Sequence, residues 1–330
     1  MRKASLSGEV VVEALEASFQ EVRISERKRG IRELFLAFRP WSFPMTAVSV
    51  TVGSMMGLLL QGVFYPGLAF LVLVGMVAIH GATNILNDYF DTLYGADRPG
   101  APTTLYRTHP ILGKVFSPKE IIIFSLILYS IAALICIYLA GLRGWPIIAM
   151  TIAGCFASVF YTAGPVKYKY RGLGEISVFL MWGPLMTVGS YYVQTGVWEG
   201  AAVVLCISLP LGIWVALVLL ANNLKDMHYD SEMKIMTVTI WLGRVRAIKL
   251  FAWLVYGVYM LIGFGIILGY LSWWVLAVFL SLPSTLQLMS DFKNQPEIPV
   301  DADPKTARLS TMFGVLFILS LITEHFFPLS

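Results

Sequence analysis

Nine apolar stretches, each near the length of a membrane-crossing helix, constrain this chain more than any other feature. They run over roughly 41–61, 66–87, 120–141, 145–163, 175–195, 199–222, 247–270, 272–290 and 309–327. About 20 apolar residues carry a helix across the hydrocarbon core of a bilayer. In lipid the backbone must satisfy its own hydrogen bonds, which a helix does within one segment. Composition agrees: 57% of the 330 residues are hydrophobic and 13% charged, against about 25% charged in a soluble domain. The expectation is an all-α integral membrane protein with nine transmembrane helices over residues 36–330.

Basic residues tend to stay on the cytoplasmic side of short loops. Here 23 of the 24 lysines and arginines fall in the segment before the first stretch and in the loops after stretches two, four, six and eight, leaving Arg143 alone opposite. This places the N-terminus and the four long loops in the cytoplasm and the C-terminus outside a cell membrane. It also accounts for the basic charge balance without a nucleic-acid partner. Residues 1–35 lack the apolar core of a secretory signal. Val10–Val12, Leu15, Phe19 and Val22 among glutamates, followed by Arg27–Arg29, predict a charged, partly amphipathic cytoplasmic segment. Cys136, Cys155 and Cys206 lie inside apolar stretches without metal or redox spacing and read as packing residues.

Polar chemistry concentrates at two places. His80, Asn84, Asn87 and Asp91 are spaced 4-3-4 and share one helix face, with Asp88 beside them and Asp97 beyond. Asn222, Asp226 and Asp230 recur every four residues, with Asn223 and Lys225 between. Carboxylates near membrane depth cost at least ~2.5–3.5 kcal/mol each on insertion scales and mark function. Solvated helix caps or loop ion pairs are the bland alternative, and two separate clusters at helical spacing weigh against it. Asp and Asn oxygens suit hard cations, and Mg²⁺ commonly takes one or two carboxylates plus substrate phosphates. Gly-rich phosphate loops, zinc patterns and hydrolytic triads are missing from the sequence. Metal-bridged diphosphate binding beside an apolar chamber is what remains.

These segments resemble the UbiA superfamily of intramembrane prenyltransferases. The likeness rests on Asn87-Asp88-Tyr89-Phe90-Asp91 with Gly95 and Asp97, and on Asn222-Asn223-Leu224-Lys225-Asp226 with Asp230. It rests also on Tyr161-Thr162-Ala163-Gly164-Pro165 through Gly172-Leu173-Gly174-Glu175, and on Arg39-Pro40-Trp41-Ser42-Phe43-Pro44 at the entry to the first helix. The stretch from Tyr161 to Thr195 is similar to the 1,4-dihydroxy-2-naphthoate polyprenyltransferases of menaquinone synthesis and their animal vitamin K relative. The resemblance implies nine helices around a central cavity opening to the cytoplasmic side. It implies Mg²⁺-dependent transfer of a prenyl group from a prenyl diphosphate to an aromatic quinone precursor, dihydroxynaphthoate-like first. The alternative acceptors are 4-hydroxybenzoate, a chlorophyll-type precursor, haem or a glycerophospholipid precursor, and no obligate protein partner is evident.

Carried over residue by residue, it implies Asn87, Asp91, Asp226 and Asp230 as ligands of two Mg²⁺ ions, with Asp88 contributing directly or by support. Lys167, Lys169 and Arg171, with Arg98, Arg107, Asn222 and Lys225, would hold diphosphate. Asp91, Asp226 and Lys167 would act in catalysis, and Tyr161 would face the developing allylic cation. Three departures stand out. Gly95 replaces an Asp common in quinone-type members, so Asp97 is the expected substitute. His228 stands where the naphthoate branch often has an acid, and Met233 or Lys234 replaces its usual Gly. The segment Thr103–Lys114, with Arg107, His109 and Pro110, also differs from that branch. The rival from another class is a cation-coupled transporter, for which polar groups would be expected at the midplane rather than at helix ends. Binding without turnover is a third alternative.

Overall fold

The computed structural model describes residues 30–328. The expected amphipathic segment from Val10 to Arg29 lies outside these residues. The first described helix is short, α1 (Ile31–Ala37), and α2 (Pro40–Gln61) and α3 (Pro66–Leu93) follow as an antiparallel pair. After a small helix α4 (Pro102–Tyr106) come α5 (Pro118–Arg143) and α6 (Pro146–Phe160). The second half holds α7 (Gly174–Thr195), α8 (Ala201–Lys225), α11 (Arg244–Ile267), α12 (Trp273–Asn294) and α13 (Ala302–Phe326), with short helices α9 (Met227–Glu232) and α10 (Val238–Leu242) between α8 and α11.

Among the described residues eight helices are long and apolar enough to cross a membrane. The expected fourth span is the exception, because α6 has 15 residues and, at 1.5 Å per residue, reaches only about 22 Å. Its apolar run extends to residue 163, but the helix stops at Phe160 and the chain turns through Gly164-Pro165. Proline disfavours a helical residue before it, which shortens the element. Connections at one end of the bundle are tight, at 62–65, 144–145, 196–200 and 268–272, while those at the other end run long, at 94–117, 161–173 and 226–243.

Trp214 of α8, Phe251 and Tyr259 of α11, and Phe313 and Phe317 of α13 form the largest buried cluster. The faces turned away from it stay apolar: Leu126, Ile127, Leu134 and Ile137 of α5 are exposed. An uncovered apolar face this long suits lipid. Close backbone contact joins the wall helices. A Cβ on Gly212 of α8 would lie 2.6 Å from the Phe179 carbonyl oxygen, and one on Gly183 would lie 3.0 Å from the Gly212 Cα. Small residues allow such approach in membrane bundles. A π-turn at Met181–Leu185, holding Pro184, interrupts the regular winding of α7 at this contact.

At the tight end, Arg143 donates from Nε to Val193 O at 2.7 Å and from Nη2 to Gln194 O at 2.8 Å. It satisfies carbonyls that the last turn of α7 would leave open. At the long-loop end, Ser117 and Glu120 form a reciprocal cap on α5. Ile85 of α3 packs with Val115, Phe116 and Ile121. That small cluster clamps the 94–117 loop against the end of α3.

Candidate active site

A cavity of about 1290 Å³ runs between the helices. Its deeper wall is apolar, with Val72, Met76, Ile79, Leu139, Ile147 and Met150 among its residues. At the long-loop end the lining turns polar, with Asn87, Asp91, Asp97, Arg107, Tyr161, Lys169, Asn222, Asp226 and Asp230. Both sequence clusters therefore meet in one chamber, because the C-terminal ends of α3 and α8 lie together. Tyr229, on α9, donates to Ala96 O at 2.7 Å and ties the segment after α8 to that after α3.

Asp91 is 2% exposed and crowded with donors. Lys169 Nζ approaches its Oδ2 at 2.5 Å, Asn87 Nδ2 donates to the same oxygen at 2.9 Å, and the Tyr170 hydroxyl donates to Oδ1. Lys169 also donates to Asn87 Oδ1 at 3.0 Å. Burial opposes the charge on Lys169, but the Asp91 carboxylate holds its ammonium above the ordinary lysine value. In this structure a lysine thus supplies the positive charge that the first cluster requires.

The second cluster has far less compensation. Burial pushes Asp226 up to about 6, although Lys225 pulls the other way from 3.8 Å. Asp230 is pushed up to about 7, again by burial first, with Asp226 and Asp91 adding repulsion. Two carboxylates that resist ionisation and face a cavity through oxygen atoms are a donor set that fits a hard divalent cation.

Asp97 follows a turn made at Gly95, whose φ of +73° is the left-handed region that glycine tolerates. The turn folds the chain back, so that Asp97 N donates to Asp91 O at 3.0 Å. The carboxylate takes Thr103 Oγ1 at 2.9 Å and His109 Nε2 at 3.1 Å. Burial would raise Asp97, but His109 and Lys169 hold it down to about 2. Oxygens of Asp88 and Asp97 and a ring nitrogen of His109 lie within 4.8 Å of one another.

Other expected residues sit elsewhere. Asp88 is fully buried outside the cavity lining, where its Oδ1 meets Arg39 and, at 2.6 Å, Arg107 Nη2. Lys167 lies 3.4 Å from the centre of the Tyr94 ring, and Arg98 stacks 5.7 Å from the Tyr229 ring. Arg171 donates to Pro165 O at 3.2 Å, and Lys225 holds Asp303 at 2.8 Å. None of Lys167, Arg98, Arg171 or Lys225 lines the cavity among the described residues. Tyr161 does, with its ring 6.0 Å from Lys169 Nζ, and burial raises its hydroxyl above the usual tyrosine range. The departure at His228 is an exposed side chain 3.4 Å from Glu232.

Sequence reasoning missed Asp303 and Tyr170 at the site and the pairing of Arg39 with Asp88. Arg39 stands in the Arg-Pro-Trp entry motif, which hinted at it, and Asp303 opens the last helix. Neither shares a helix with the acidic clusters, so spacing had nothing to report.

The model of the UbiA prenyltransferase family matches residues 46–319. The chain belongs to the UbiA prenyltransferase family. It is therefore a prenyltransferase, an enzyme rather than a transporter. It is similar to "UbiA prenyltransferase domain-containing protein 1" of Mus musculus, at 29% identity over 92% of this chain and 88% of that protein. The Drosophila melanogaster homolog is 28% identical over 90% of this chain and 81% of that one. Among solved structures, a UbiA homolog from Archaeoglobus fulgidus bound to GPP and Mg²⁺ matches with a TM-score of 0.61 at 14% identity, covering 88% of this chain and 98% of that one. The apo UbiA homolog from Aeropyrum pernix K1 matches with a TM-score of 0.63 at 13% identity, over 84% and 97%. The UbiA helical fold is thus shared across sequences that have diverged far.

Proposed function

We propose that this UbiA enzyme moves a prenyl group from a prenyl diphosphate to an aromatic quinone precursor resembling dihydroxynaphthoate. The observation that carries the reading is the meeting of two acidic arrays at one end of a largely apolar cavity of about 1290 Å³. The polar end suits a diphosphate, and the apolar depth suits its hydrocarbon tail. The similar structure bound to GPP and Mg²⁺ supports the same pairing here. The acceptor reading rests on the likeness of the Tyr161–Thr195 stretch to the naphthoate branch.

Asn87, Asp91, Asp226 and Asp230 would hold two Mg²⁺ ions, with Asp97 supporting them and Asp88 fixed by its arginines. When bound, Mg²⁺ would offset the charge that grows on the leaving diphosphate. Lys169 would move from Asp91 towards that diphosphate, and Arg107 already faces the chamber. Asn222 lines the chamber beside them, whereas Lys167, Arg98, Arg171 and Lys225 would have to leave Tyr94, Tyr229, Pro165 O and Asp303 to reach the diphosphate. Breakage of the C–O bond leaves its electron pair on the diphosphate and an allylic cation on the tail, against which Tyr161 presents its ring. The acceptor ring donates the electrons of the new C–C bond and then loses CO₂, as in the naphthoate branch, or a proton. The apolar wall keeps water from capturing the cation.

In the membrane we propose nine spans, counting the short α6, with residues 1–35 and the cavity mouth in the cytoplasm and the C-terminus outside. The test is diphosphate release by detergent-purified protein given labelled prenyl diphosphates and a panel of phenolic acceptors. The expected result is release that requires both Mg²⁺ and a dihydroxynaphthoate-like acceptor. Release with no phenol, or with 4-hydroxybenzoate in its place, would overturn the acceptor assignment.

A further inference from the structure

Below the acidic clusters the cavity wall carries a band of polar side chains with a defined direction of hydrogen bonding. Ser42, His80, Asn84 and Trp182 all line the chamber. Trp182 Nε1 donates to Thr46 Oγ1 at 3.1 Å. Ser42 donates its one hydrogen to Arg39 O at 2.8 Å. Its oxygen therefore accepts from His80 Nε2, 3.1 Å away, which puts the ring proton there. Nδ1 of the neutral ring then accepts from the Thr46 hydroxyl at 2.9 Å. Indole is a donor only and a backbone carbonyl an acceptor only, so both ends of the chain are fixed.

Asn84 joins this chain from the side. Its Nδ2 donates to Phe38 O at 2.8 Å and to Ser42 Oγ at 3.3 Å. Because the Phe38 carbonyl cannot donate, the amide cannot be the other way round. Both amide hydrogens are spent on the protein, and among the described residues no donor meets Asn84 Oδ1. That oxygen is an acceptor with its orientation set in advance. Asn84 and Asp91 are seven residues apart on α3, so they point the same way about 10 Å apart along the axis.

We infer that Asn84 Oδ1 accepts a hydrogen bond from a ring hydroxyl of the aromatic acceptor, and that Phe38, Ser42 and His80 hold the amide in that orientation. The inference rests on the prenyl-transfer reading above and assigns its acceptor subsite. The diphosphate occupies the level of Asp91, and the allylic carbon and the acceptor ring fill the space between that level and Asn84. A hydroxyl held there directs the ring carbon it activates towards the allylic carbon. Asn84 is then an acceptor-binding residue, and His80 and Ser42 are positioning residues.

The experiment compares 1,4-dihydroxy-2-naphthoate with its two monomethyl ethers in the wild type, Asn84→Ala and His80→Phe. In the wild type one ether should raise the acceptor KM by at least about tenfold, the scale of one lost hydrogen bond. In Asn84→Ala the same ether should differ from the parent by less than about twofold, with the KM for prenyl diphosphate unchanged in every variant. His80→Phe should lower the discrimination between parent and ether, a readout that a merely structural role would leave alone. It carries the test if Asn84→Ala does not fold. Equal discrimination in wild type and variants, or a changed prenyl diphosphate KM alone, overturns the subsite. A wild type that turns over no phenolic acceptor overturns the prenyl-transfer reading and the subsite with it.

Discussion

At the residue scale the second acidic cluster makes a pH prediction. Burial raises Asp226 to about 6 and Asp230 to about 7 in the folded chain, while unfolded aspartates titrate near 3.9. The folded state therefore binds these protons more tightly than the unfolded one. Its stability is greatest below about pH 4 on this account and is lost as pH rises through the folded values. In chelator, thermal midpoints of the detergent-solubilised protein should fall between pH 4 and 8, and Asp230→Asn should flatten the fall. Parallel curves for wild type and variant would sink the idea. Asp91→Asn and Asp226→Asn should each nearly abolish turnover at saturating Mg²⁺ while the protein still folds, checked by diphosphate release and thermal melting. Asp97→Asn should raise the Mg²⁺ concentration for half-maximal rate at least about tenfold, the low end for losing support around a metal. An unchanged requirement would reduce Asp97 to holding the loop through Thr103 and His109.

The same residues show what spacing can and cannot reveal. Asn87 and Asp91, and Asp226 and Asp230, were legible because each pair sits four apart with its carboxylate at a helix end, and all four face the cavity. The resemblance gives Lys167 a catalytic role and Lys169 only a diphosphate contact, and spacing alone cannot rank them. The left-handed backbone at Lys167, φ +45°, precedes the single turn Tyr168–Tyr170, and Lys167 lies over Tyr94 while Lys169 reaches Asp91. That split depends on loop geometry, which no periodicity carries. Asp303 was illegible for a related reason: its partner Lys225 is 78 residues away in sequence.

At the scale of elements, glycines test how tightly the wall is built. Replacing a helical glycine by alanine should gain up to about 1 kcal/mol from helix propensity. Gly257 and Gly263 of α11 have open space where a Cβ would go, so Gly257→Ala and Gly263→Ala should raise the thermal midpoint slightly or leave it alone. At Gly212 the new methyl would meet the Phe179 carbonyl at 2.6 Å. A backbone oxygen cannot rotate away, and overpacking commonly costs about 1–3 kcal/mol. Gly212→Ala should therefore lower the midpoint, and a rise would show that the α7–α8 contact has room for the methyl. The apolar stretches announced these helices well, because a lipid-exposed helix has to be apolar along its whole length. The exception was α6, where side chains stay apolar to Ala163 but the backbone turns at Gly164-Pro165.

At the scale of the whole molecule, the distribution of basic residues predicts that Lys167 and Arg143 face opposite sides of the membrane. Single cysteines at the two positions, labelled by an impermeant reagent in sealed vesicles, should react from opposite faces. Labelling from one face would refute the proposed topology. The contact between Gly183 and Gly212 bears on traffic through the finished enzyme. Where two backbones touch, no gap is left for an alkyl chain, and nothing there can swing aside to make one. On the proposed reading, a prenylated product formed in the chamber would find the seam between α7 and α8 closed at that contact. It would leave instead where side chains alone hold neighbouring helices together, because side chains can turn and two touching backbones cannot.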